Sequence, residues 1–560
     1  MKHRTLLLSL SMGAACAVSA ATAPAAGVDP ARLLQHIKVL ESDEFEGRLP
    51  GTVGEQKSVA YITGQFKQLG LTAGNPNGTY LQDVPLEGIA GSPSMALTAG
   101  GRAIPMEHGH DFVASTYRIV PQVLISNSPL VFVGYGVQAP EYNWDDYKGL
   151  DAHGKTLVML INDPPVEDPK HPGQLDDKVF KGKAMTYYGR WTYKFEMASK
   201  LGADGVLIVH ETIPAAYDWS VVEHSWSGEA FVLADANGNA HSVPVQGWIT
   251  LDKARALFAQ SGQSFEALKV KAASREFKPV ALNATVSVSI QNKLRDVHSH
   301  NVVASLPGSD PKLSHEWIVY TAHWDHFGRN PSLSGDQIFH GAVDNGSGVA
   351  SILEIARVFS ETRPKPKRSI LFMAVTAEEQ GLLGSKYYAE HPLHPLNETL
   401  ADLNIDSVGT WGRARDLQVI GFGQSSLDDD LAQVLKSEDR VMVPDQQPEQ
   451  GGYFRSDQFS FARVGVPGLF LSPGVDVIGK PAGFGQQQRD EYEAHRYHSP
   501  ADRVYPDWDL SGAAQDDTDL YKIGLALSAA AHWPEWRADS EFRAIRIQSL
   551  ATRSKAALDH

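Results

Sequence analysis

Six residues that can bind a metal ion lie between residues 323 and 498, several of them just after short apolar runs: His323, Asp344, Glu378, Glu379, Asp406 and His498. Imidazole nitrogen and carboxylate oxygen are zinc ligands, and a set without cysteine is typical of a hydrolytic site. Two ions about 3.5–4 Å apart, sharing one carboxylate, can polarise a carbonyl and activate a water near neutral pH. The sequence therefore predicts either a single zinc ion or a pair.

The adjacent Glu378 and Glu379 end an apolar run, Ile370 to Val375, which the breaker-rich "RPKPKR" precedes. Such a run predicts a buried strand. Two carboxylates at its end repel each other and lose hydration, and divalent cations would outweigh both costs. Neighbouring side chains at a strand end point in different directions, so one glutamate can bind metal while the other faces water. We interpret the pair as having two separate roles.

The elements around these residues alternate between strand and helix. "WIVYTAH", "SILFMAV", "LADLNID", "LQVIGFG" and "GLFLS" read as strands, and "SGVASILEIARVF" reads as a helix with one apolar face. This alternation predicts an α/β fold with a mixed, largely parallel sheet flanked by helices. Reactive groups in such sheets gather at the carboxyl ends of the strands, where the six residues fall.

The chain divides into five predicted segments. Residues 1–26 have the basic start, apolar stretch and small residues of a secretory signal peptide, and their apolar run is too short to span a membrane stably. Residues 27–95 and 291–540 form the α/β domain, and residues 96–290, with short strands between turns, form a β-rich insertion. Residues 541–560 form a C-terminal tail, which we interpret as a short surface helix.

Charge and cysteine content exclude several classes of protein. The formal net charge of −16 argues against a nucleic-acid partner. Cys16 is the only cysteine and lies in the signal peptide, so a cleaved protein has no disulfide, thiolate ligand or cysteine nucleophile. Gly13 stands where a lipid-anchored precursor usually has leucine, which argues against lipidation. We expect a secreted or periplasmic protein without a stable membrane span, and the sequence does not predict its oligomeric state.

The motifs "TAHWDH", "GAVDNGSG", "TAEEQGLLGS", "NIDSVG" and "YHSPAD" resemble those of the metallo-aminopeptidases of peptidase family M28. The resemblance covers about half of the chain. It implies a zinc exopeptidase fold with two co-catalytic zinc ions per chain and peptides as substrates. The insertion, with "LVFVGYGVQAPEYNWDD", resembles a protease-associated domain, which commonly interrupts this family before the first metal-binding histidine.

The resemblance implies a role for each ligand. Asp344 would bridge the two ions, His323 and Asp406 would complete one site, and Glu379 and His498 would complete the other. The peptide bond after Asp344 is often cis in this family. No role is implied for His326, and the segments "EHGHD" and "VHSHN" outside the set read as solvated polar stretches.

The resemblance also implies the catalytic groups. Glu378 would be the general base of a metal-activated water, and Asp325 would accept a hydrogen bond from His323 and fix its ring. "GGYFRSDQF" resembles the family's Y-x-x-S-D-H segment, so Tyr453 is a candidate oxyanion donor, with Tyr497 as the other. This chain has Gln458 where many relatives have histidine, which affects expectations for the substrate pocket and leaves the five ligands intact.

The leading functional hypothesis is an aminopeptidase that hydrolyses the N-terminal peptide bond of peptides. A glutamate-carboxypeptidase-like enzyme or a dipeptidase is a rival, because Arg455 and Arg496 could bind a substrate carboxylate. A glutaminyl cyclase would use one zinc ion, and the full ligand set counts against it. A non-catalytic binding protein on the same fold is the remote alternative, because such relatives lose ligands or the base.

Overall fold

The computed structural model describes residues 27–556. The predicted signal peptide, Cys16 and the last four residues lie outside this range. Within it, no helix is both long and apolar enough to cross a membrane.

The strands are numbered β1 to β18 in chain order. Their bounds are Thr72–Ala73, Leu81–Ala99, Arg102–Ile104, Phe112–Ser115, Gln122–Phe132, Gln138–Ala139, Trp144–Asp145, Thr156–Leu160, Gly205–His210, Glu229–Leu233, Val245–Thr250, Val280–Leu306, Trp317–His323, Ser369–Val375, Thr399–Asn404, Asp416–Ile420, Val441–Pro444 and Gly468–Ser472.

The α-helices are numbered α1 to α14. Their bounds are Pro30–Leu40, Val53–Gln68, Trp191–Lys200, Thr212–Ala215, Trp219–Trp226, Leu251–Gln260, Phe265–Ala272, Gly348–Glu361, Leu383–Glu390, Leu427–Lys436, Gln458–Arg463, Phe484–His495, Ser511–Ala529 and Arg543–Ala556.

The sheet of the C-terminal half runs in the order β17-β16-β18-β15-β13-β14-β12. Strand β13 is parallel to β14 and β15, and β15 is parallel to β18. Strand β16 is antiparallel to β18, and β12 is antiparallel to β14. The predicted mixed, largely parallel sheet is therefore confirmed. Strands β13 and β14 are mostly apolar and almost entirely buried because both faces of the sheet are covered.

Alternate residues of the central strands enter two different cores. Ile370 and Phe372 of β14 pack in the larger core with helices α1, α2, α8 and α13. Leu371 and Met373 face the other way, against Tyr388 of α9 and the helix α11. This period of two, with helices on both sides, fixes the register of the strands and thereby the position of each strand end.

The insertion has its own apolar cores, formed by buried residues between positions 97 and 290. Its central strands β5, β8, β9 and β11 are parallel to one another. Strands β2 and β12 connect it to the rest of the chain, because they pair in antiparallel fashion from Leu81 against Val302 to Ala99 against Ala284. This long two-stranded ribbon runs across both predicted domain boundaries, which stay predictions.

The C-terminal tail is helical, as α14, but it is not only a surface element. Arg546 is buried and donates hydrogen bonds from Nη2 to the carbonyl oxygen of Thr399 at 2.8 Å. Phe542, just before the helix, packs with Tyr453 and Trp536 in a small aromatic cluster. The tail therefore covers the start of β15 and the region around Tyr453.

Gly384 allows the segment after Glu379 to return to the sheet. Its backbone N donates to the carbonyl oxygen of Thr376 at 2.9 Å. A Cβ at this position would lie 2.4 Å from that oxygen and 2.4 Å from Asn301 Oδ1, both nearly immobile. The close approach explains why the motif "EEQGLLGS" needs glycine here.

We therefore expect Gly384→Ala to lower the free energy of unfolding by about 1–3 kcal/mol, the usual cost of overpacking. Gly64→Ala is the matched control, because Gly64 lies in α2 and its Cβ would meet nothing within 4 Å. That change should be neutral or stabilise by up to about 1 kcal/mol through helix propensity. Chemical denaturation of both variants measures the difference, and equal stabilities would contradict the close-packing argument.

Candidate metal centre

Three parallel strands bring the predicted ligands to one edge of the sheet. Strand β13 ends at His323, Glu378 follows the end of β14 by three residues, and Asp406 follows the end of β15 by two. Asp344 lies in the helical turn Ala342–Ser347 that leads into α8, and His498 follows α12. The sheet topology therefore brings residues 323, 378 and 406, which are far apart in sequence, close together in space.

The first group of contacts surrounds His323. Its Nε2 lies 3.2 Å from Asp344 Oδ1, 3.3 Å from Asp406 Oδ1 and 3.8 Å from Glu378 Oε2. The His323 side chain is fully buried. One donor atom each from His323, Asp344 and Asp406 lies within 4.8 Å of the others, which is the spacing of a shared ion.

The second group surrounds Glu379. His498 Nε2 lies 3.1 Å from Asp344 Oδ2 and 3.4 Å from Glu379 Oε2. The two oxygens of Asp344 thus face two different histidines, one on each side. The structure brings together all five residues that were predicted as ligands.

His326 also belongs to this second group, although sequence reasoning assigned it no role. Its Nδ1 lies 2.5 Å from Glu379 Oε1, and the side chain is fully buried. His326, Asp344 and Glu379 form a further set of possible ligands within 4.8 Å. The available signal was its place in "HWDH", three residues after His323 and just beyond the strand end.

The carboxylates strongly affect one another. Burial, reinforced by Asp344 and Glu378, raises the pKa of Glu379 well above its usual value. Burial also raises the pKa of Glu378, offset in part by His323. The pKa of Asp344 is well below normal, because hydrogen bonds from His323 and His498 outweigh the effect of burial.

Neighbouring loops hold the ligands from behind. Asp502, in the "YHSPAD" motif, accepts hydrogen bonds from the backbone N of Val343 and of Asp344, each at 3.0 Å. Ser456 Oγ donates to Asp406 Oδ2 at 2.6 Å. The peptide bond between Asp344 and Asn345 is cis. Asp502 and Ser456 lay within quoted motifs, yet sequence reasoning gave them no role.

A buried arginine lies behind the centre. The Arg48 guanidinium donates to the carbonyl oxygens of Leu40, Trp324, His340 and Gly341 at 2.6 to 2.8 Å. Its pKa is lowered by burial, and the nearby carboxylates, Asp502 first, oppose that shift. Arg48 therefore joins the N-terminal segment to the loops that carry the ligands. Nothing in its local sequence indicates this role.

Asp325 lies beside His323 but in a different arrangement from the expected one. The nearest Asp325 atom to His323 Nδ1 is the backbone oxygen, at 3.2 Å, and carboxylate Oδ1 lies at 3.7 Å. Oδ1 instead accepts a hydrogen bond from the backbone N of Glu378 at 3.1 Å. Burial raises the pKa of Asp325 to about 6. Its carboxylate thus orients the segment that carries the glutamate pair.

The structure does not bring Tyr453 to the centre. Its ring packs against Phe454, Phe542 and Gly421, and its buried hydroxyl has no hydrogen-bond partner among the described residues. Tyr497 does lie at the centre, with its ring stacked on that of His498 at a centroid distance of 3.7 Å and half of its surface exposed. The reason is local: Tyr453 lies in a short 3₁₀ turn, Gly452–Phe454, that buries its side chain.

Gln458 is a buried residue that forms hydrogen bonds behind the site. Its Nε2 donates to the carbonyl oxygen of Tyr453 at 2.6 Å, and its Oε1 accepts from Asn404 Nδ2 at 2.8 Å. The side chain is fully buried, so this departure from the family pattern changes a structural contact.

The histidines outside the set are mostly on the surface, as expected. His108, His110 and His298 are exposed. His300 differs, because it is only partly exposed and its Nδ1 lies 3.0 Å from Glu55 Oε1. The interpretation of "VHSHN" as a solvated stretch is therefore wrong for His300.

The donor set fits divalent metal ions. Four carboxylates converge on His323, His326 and His498. The nearby cation Arg48 donates its hydrogen bonds to backbone carbonyl oxygens and not to these carboxylates. Without further positive charge, the burial of so many carboxylates would be costly. Nitrogen and oxygen donors in this mixture are those of zinc and related ions.

Fold and donor set together define an α/β protein with a histidine–carboxylate metal centre at the carboxyl ends of a mixed sheet. Residues 301–518 match the family model described as "Peptidase family M28". This segment of the chain is therefore similar to peptidase family M28.

Individual relatives cover different parts of the chain. Aminopeptidase YwaD of Bacillus subtilis (strain 168) is 33% identical over 199 residues, which are 34% of this chain and 37% of YwaD. Aminopeptidase NAALADL1 of Mus musculus is 37% identical over 127 residues, 22% of this chain and 15% of that protein. The chain thus covers less than two fifths of either relative. The solved aminopeptidase from Aneurinibacillus sp. strain AM-1 has a TM-score of 0.47 at 20% identity, covering 90% of this chain and 94% of that one.

The contact between His326 and Glu379 predicts a role in metal affinity. We expect His326→Ala to weaken zinc binding about 10- to 100-fold, because Glu379 loses the group that orients it. His326→Asn should retain most of the affinity, since its amide can place a nitrogen near the position of Nδ1.

Competition with a chromophoric chelator measures zinc affinity directly in both variants. Circular dichroism and thermal unfolding serve as controls for folding. Wild-type zinc affinity in a well-folded His326→Ala would show that the contact has no bearing on the metal.

Proposed function

We propose that this chain is a secreted or periplasmic, zinc-dependent aminopeptidase that hydrolyses the N-terminal peptide bond of peptides. One observation carries the proposal: the two oxygens of Asp344 face His323 and His498, with Asp406 and Glu379 on the respective sides. The match of residues 301–518 to the model of peptidase family M28 supports it, as do relatives whose names include "aminopeptidase" and "zinc metalloprotease".

Two zinc ions would be held by five residues of this chain: Asp344 between them, His323 and Asp406 on one side, and Glu379 and His498 on the other. When bound, zinc supplies Lewis-acid polarisation of the scissile carbonyl and lowers the pKa of water. His326 contacts the carboxylate of Glu379, and we propose that it holds this carboxylate in position.

Glu378 is the general base in this proposal. Its carboxylate lies at the centre without a hydrogen-bond donor in the described part of the chain, while its backbone N is held by Asp325. A carboxylate held in this way can take a proton from the attacking water and deliver it to the leaving amine. The separation of roles between Glu378 and Glu379 follows from their different neighbours, His323 for the first and His326 with His498 for the second.

Tyr497 is the proposed donor to the oxyanion. Its ring lies on His498 and its surface is half exposed, so a substrate can reach its hydroxyl. A donor fixed beside the developing negative charge is worth several kcal/mol in comparable sites, about 2.7–4. Tyr453, the other candidate, is enclosed by aromatic side chains.

The substrate's free amine suits the charge of this cleft. Carboxylates outnumber the nearby cations, so the local potential attracts an N-terminal ammonium group. Blocking that amine should therefore abolish recognition.

The function is tested with a panel of aminoacyl-anilides, N-acetylated anilides and peptides that end in glutamate. We expect release of anilide from the free-amine substrates only, and complete loss after dialysis against a chelator with recovery on addition of Zn²⁺. Cleavage confined to the C-terminal glutamate peptides would favour the carboxypeptidase alternative. No cleavage of any substrate by zinc-loaded protein would contradict the proposal.

Two substitutions separate the base from the bridging ligand. Glu378→Gln should bind two equivalents of zinc and lose at least about 100-fold in kcat, the lower range for a general base. Asp344→Asn should bind zinc weakly at both positions, because one carboxylate serves both. Metal analysis after gel filtration, together with anilide hydrolysis, checks both expectations. Full activity in Glu378→Gln would rule out its role as the base.

A further inference from the structure

Asp402 is a fully buried acid in β15, four residues before the predicted metal ligand Asp406. Its neighbour Leu403 enters the larger core, so Asp402 faces the other side of the sheet, where its register partner Val319 packs against Tyr388. Within residues 27–556, no lysine, arginine or histidine pairs with Asp402. A buried acid without a cation is costly unless it is neutral and hydrogen-bonded.

A continuous series of hydrogen bonds connects Asp402 to the ligand. Thr321 Oγ1 lies 2.9 Å from Asp402 Oδ1 and 2.9 Å from Asn404 Oδ1. Asn404 Nδ2 donates to Ser456 Oγ at 2.7 Å. Ser456 Oγ in turn donates to Asp406 Oδ2 at 2.6 Å. The first four of these side chains are buried, so each proton must be accounted for within the protein.

A backbone oxygen fixes the direction of this series. Gln458 Nε2 lies 2.6 Å from the carbonyl oxygen of Tyr453, which can only accept, so the amide nitrogen of Gln458 must be on that side. Gln458 Oε1 then lies 2.8 Å from Asn404 and needs a donor, which places the amide nitrogen of Asn404 on this side. The amide oxygen of Asn404 therefore faces Thr321.

Thr321 has one hydroxyl proton and an oxygen atom on each side of it. Because Asn404 Oδ1 carries no proton, Thr321 must donate to it. The contact between Thr321 and Asp402 is then a hydrogen bond only if Asp402 carries a proton and donates it. An ionised Asp402 would leave two buried acceptors competing for a single proton.

The surroundings of Asp402 favour its protonated form. Burial raises the pKa of Asp402 well above its usual value, the contact with Thr321 opposes this shift, and the nearby charge of Asp457 adds to it. Two phenols also face Asp402. Burial raises the pKa values of Tyr388 and Tyr453, and a charge on Asp402 would raise them further. None of these groups brings a positive charge to Asp402.

The series ends at the metal centre. Because the amide nitrogen of Asn404 donates to Ser456, the hydroxyl proton of Ser456 points away from Asn404 and toward Asp406 Oδ2. Asp406 Oδ1 is left to face His323 Nε2, at 3.3 Å. Hydrogen bonds from behind orient ligating carboxylates in this way in metal sites.

We propose that Asp402 is a neutral carboxylic acid and the first donor in a chain, from Asp402 through Thr321, Asn404 and Ser456, that orients the metal ligand Asp406. Asp402 is thus a positioning residue, because it acts on the ligand through other side chains. The role of the chain in zinc binding rests on the proposed function. The direction of the chain and the proton on Asp402 follow from the contacts alone.

The pH dependence of stability tests for the proton on Asp402. Above about pH 4, the usual pKa of an exposed aspartate, the unfolded chain loses a proton that the folded protein keeps, so stability falls as pH rises. Asp402→Asn has no such proton and retains a donor to Thr321. The unfolding constant of the wild type divided by that of Asp402→Asn should therefore rise about tenfold per pH unit, or about 100-fold from pH 5 to pH 7.

Chemical denaturation of the full chain at a fixed excess of zinc measures both constants at pH 5, 6 and 7. Asp507→Asn is the matched control, because Asp507 is exposed to solvent, and its ratio to the wild type should stay constant over this range. A constant ratio for Asp402→Asn as well would show that Asp402 is ionised in the folded protein. That result would overturn the inference.

Zinc affinity tests the other end of the chain. Thr321→Val keeps the shape of the side chain but removes the donor to Asn404, and we expect zinc to bind at least about tenfold more weakly. Thr321→Ser retains the hydroxyl group and should retain most of the affinity. Competition with a chromophoric chelator measures both affinities without turnover, and circular dichroism checks folding.

Equal zinc affinities in folded Thr321→Val and Thr321→Ser would overturn the role of the chain in positioning Asp406. The expected difference in affinity, together with no cleavage of any peptide, would support the chain and count only against the proposed function. The measurement on Asp402→Asn remains decisive if Thr321→Val fails to fold.

Discussion

The burial of four carboxylates within a few ångströms of one another is the constraint around which this protein is built. Such a cluster is unfavourable by itself, because each charge loses hydration and repels the others. The protein concentrates the cluster at strand ends, where backbone N–H groups and histidines can face it. Asp502, Ser456, Asp325 and His326 each contact a ligand or the loop that carries it. These contacts hold the ligands in place before any ion binds.

Much of the fold was predictable from local patterns. Strands β13, β14 and β15 are buried along almost their whole length because they are covered on both faces, and α8 has a regular apolar side. Three of the predicted ligands, His323, Glu379 and Asp406, were expected near one another because each lies at or just after the end of a strand, and parallel strands align their carboxyl ends. Only the resemblance to a family, however, implied which ligand would bridge two ions and which glutamate would be the base.

The residues that sequence reasoning missed depend on long-range contacts. Arg48 lies 276 positions from the carbonyl of Trp324 that it binds, and no local pattern links them. His326 reads as one more loop histidine until β14 brings Glu379 beside it. Tyr453 and Tyr497 both occur next to metal-site motifs. The local backbone conformation turns the ring of Tyr453 into the core and leaves that of Tyr497 half exposed.

The ribbon of β2 and β12 limits how the insertion can move relative to the rest of the molecule. It also offers a simple way for such an insertion to be gained or lost. Its 19 paired residues extend for about 60 Å. Both ends of the insertion leave the peptidase half side by side on this ribbon. Adding or removing the whole insertion then amounts to lengthening or shortening one hairpin, with no new path through the existing core. The same ribbon resists twisting more than two flexible linkers would, so the insertion keeps a reproducible position against the peptidase half, which it contacts through Tyr187 and Phe459.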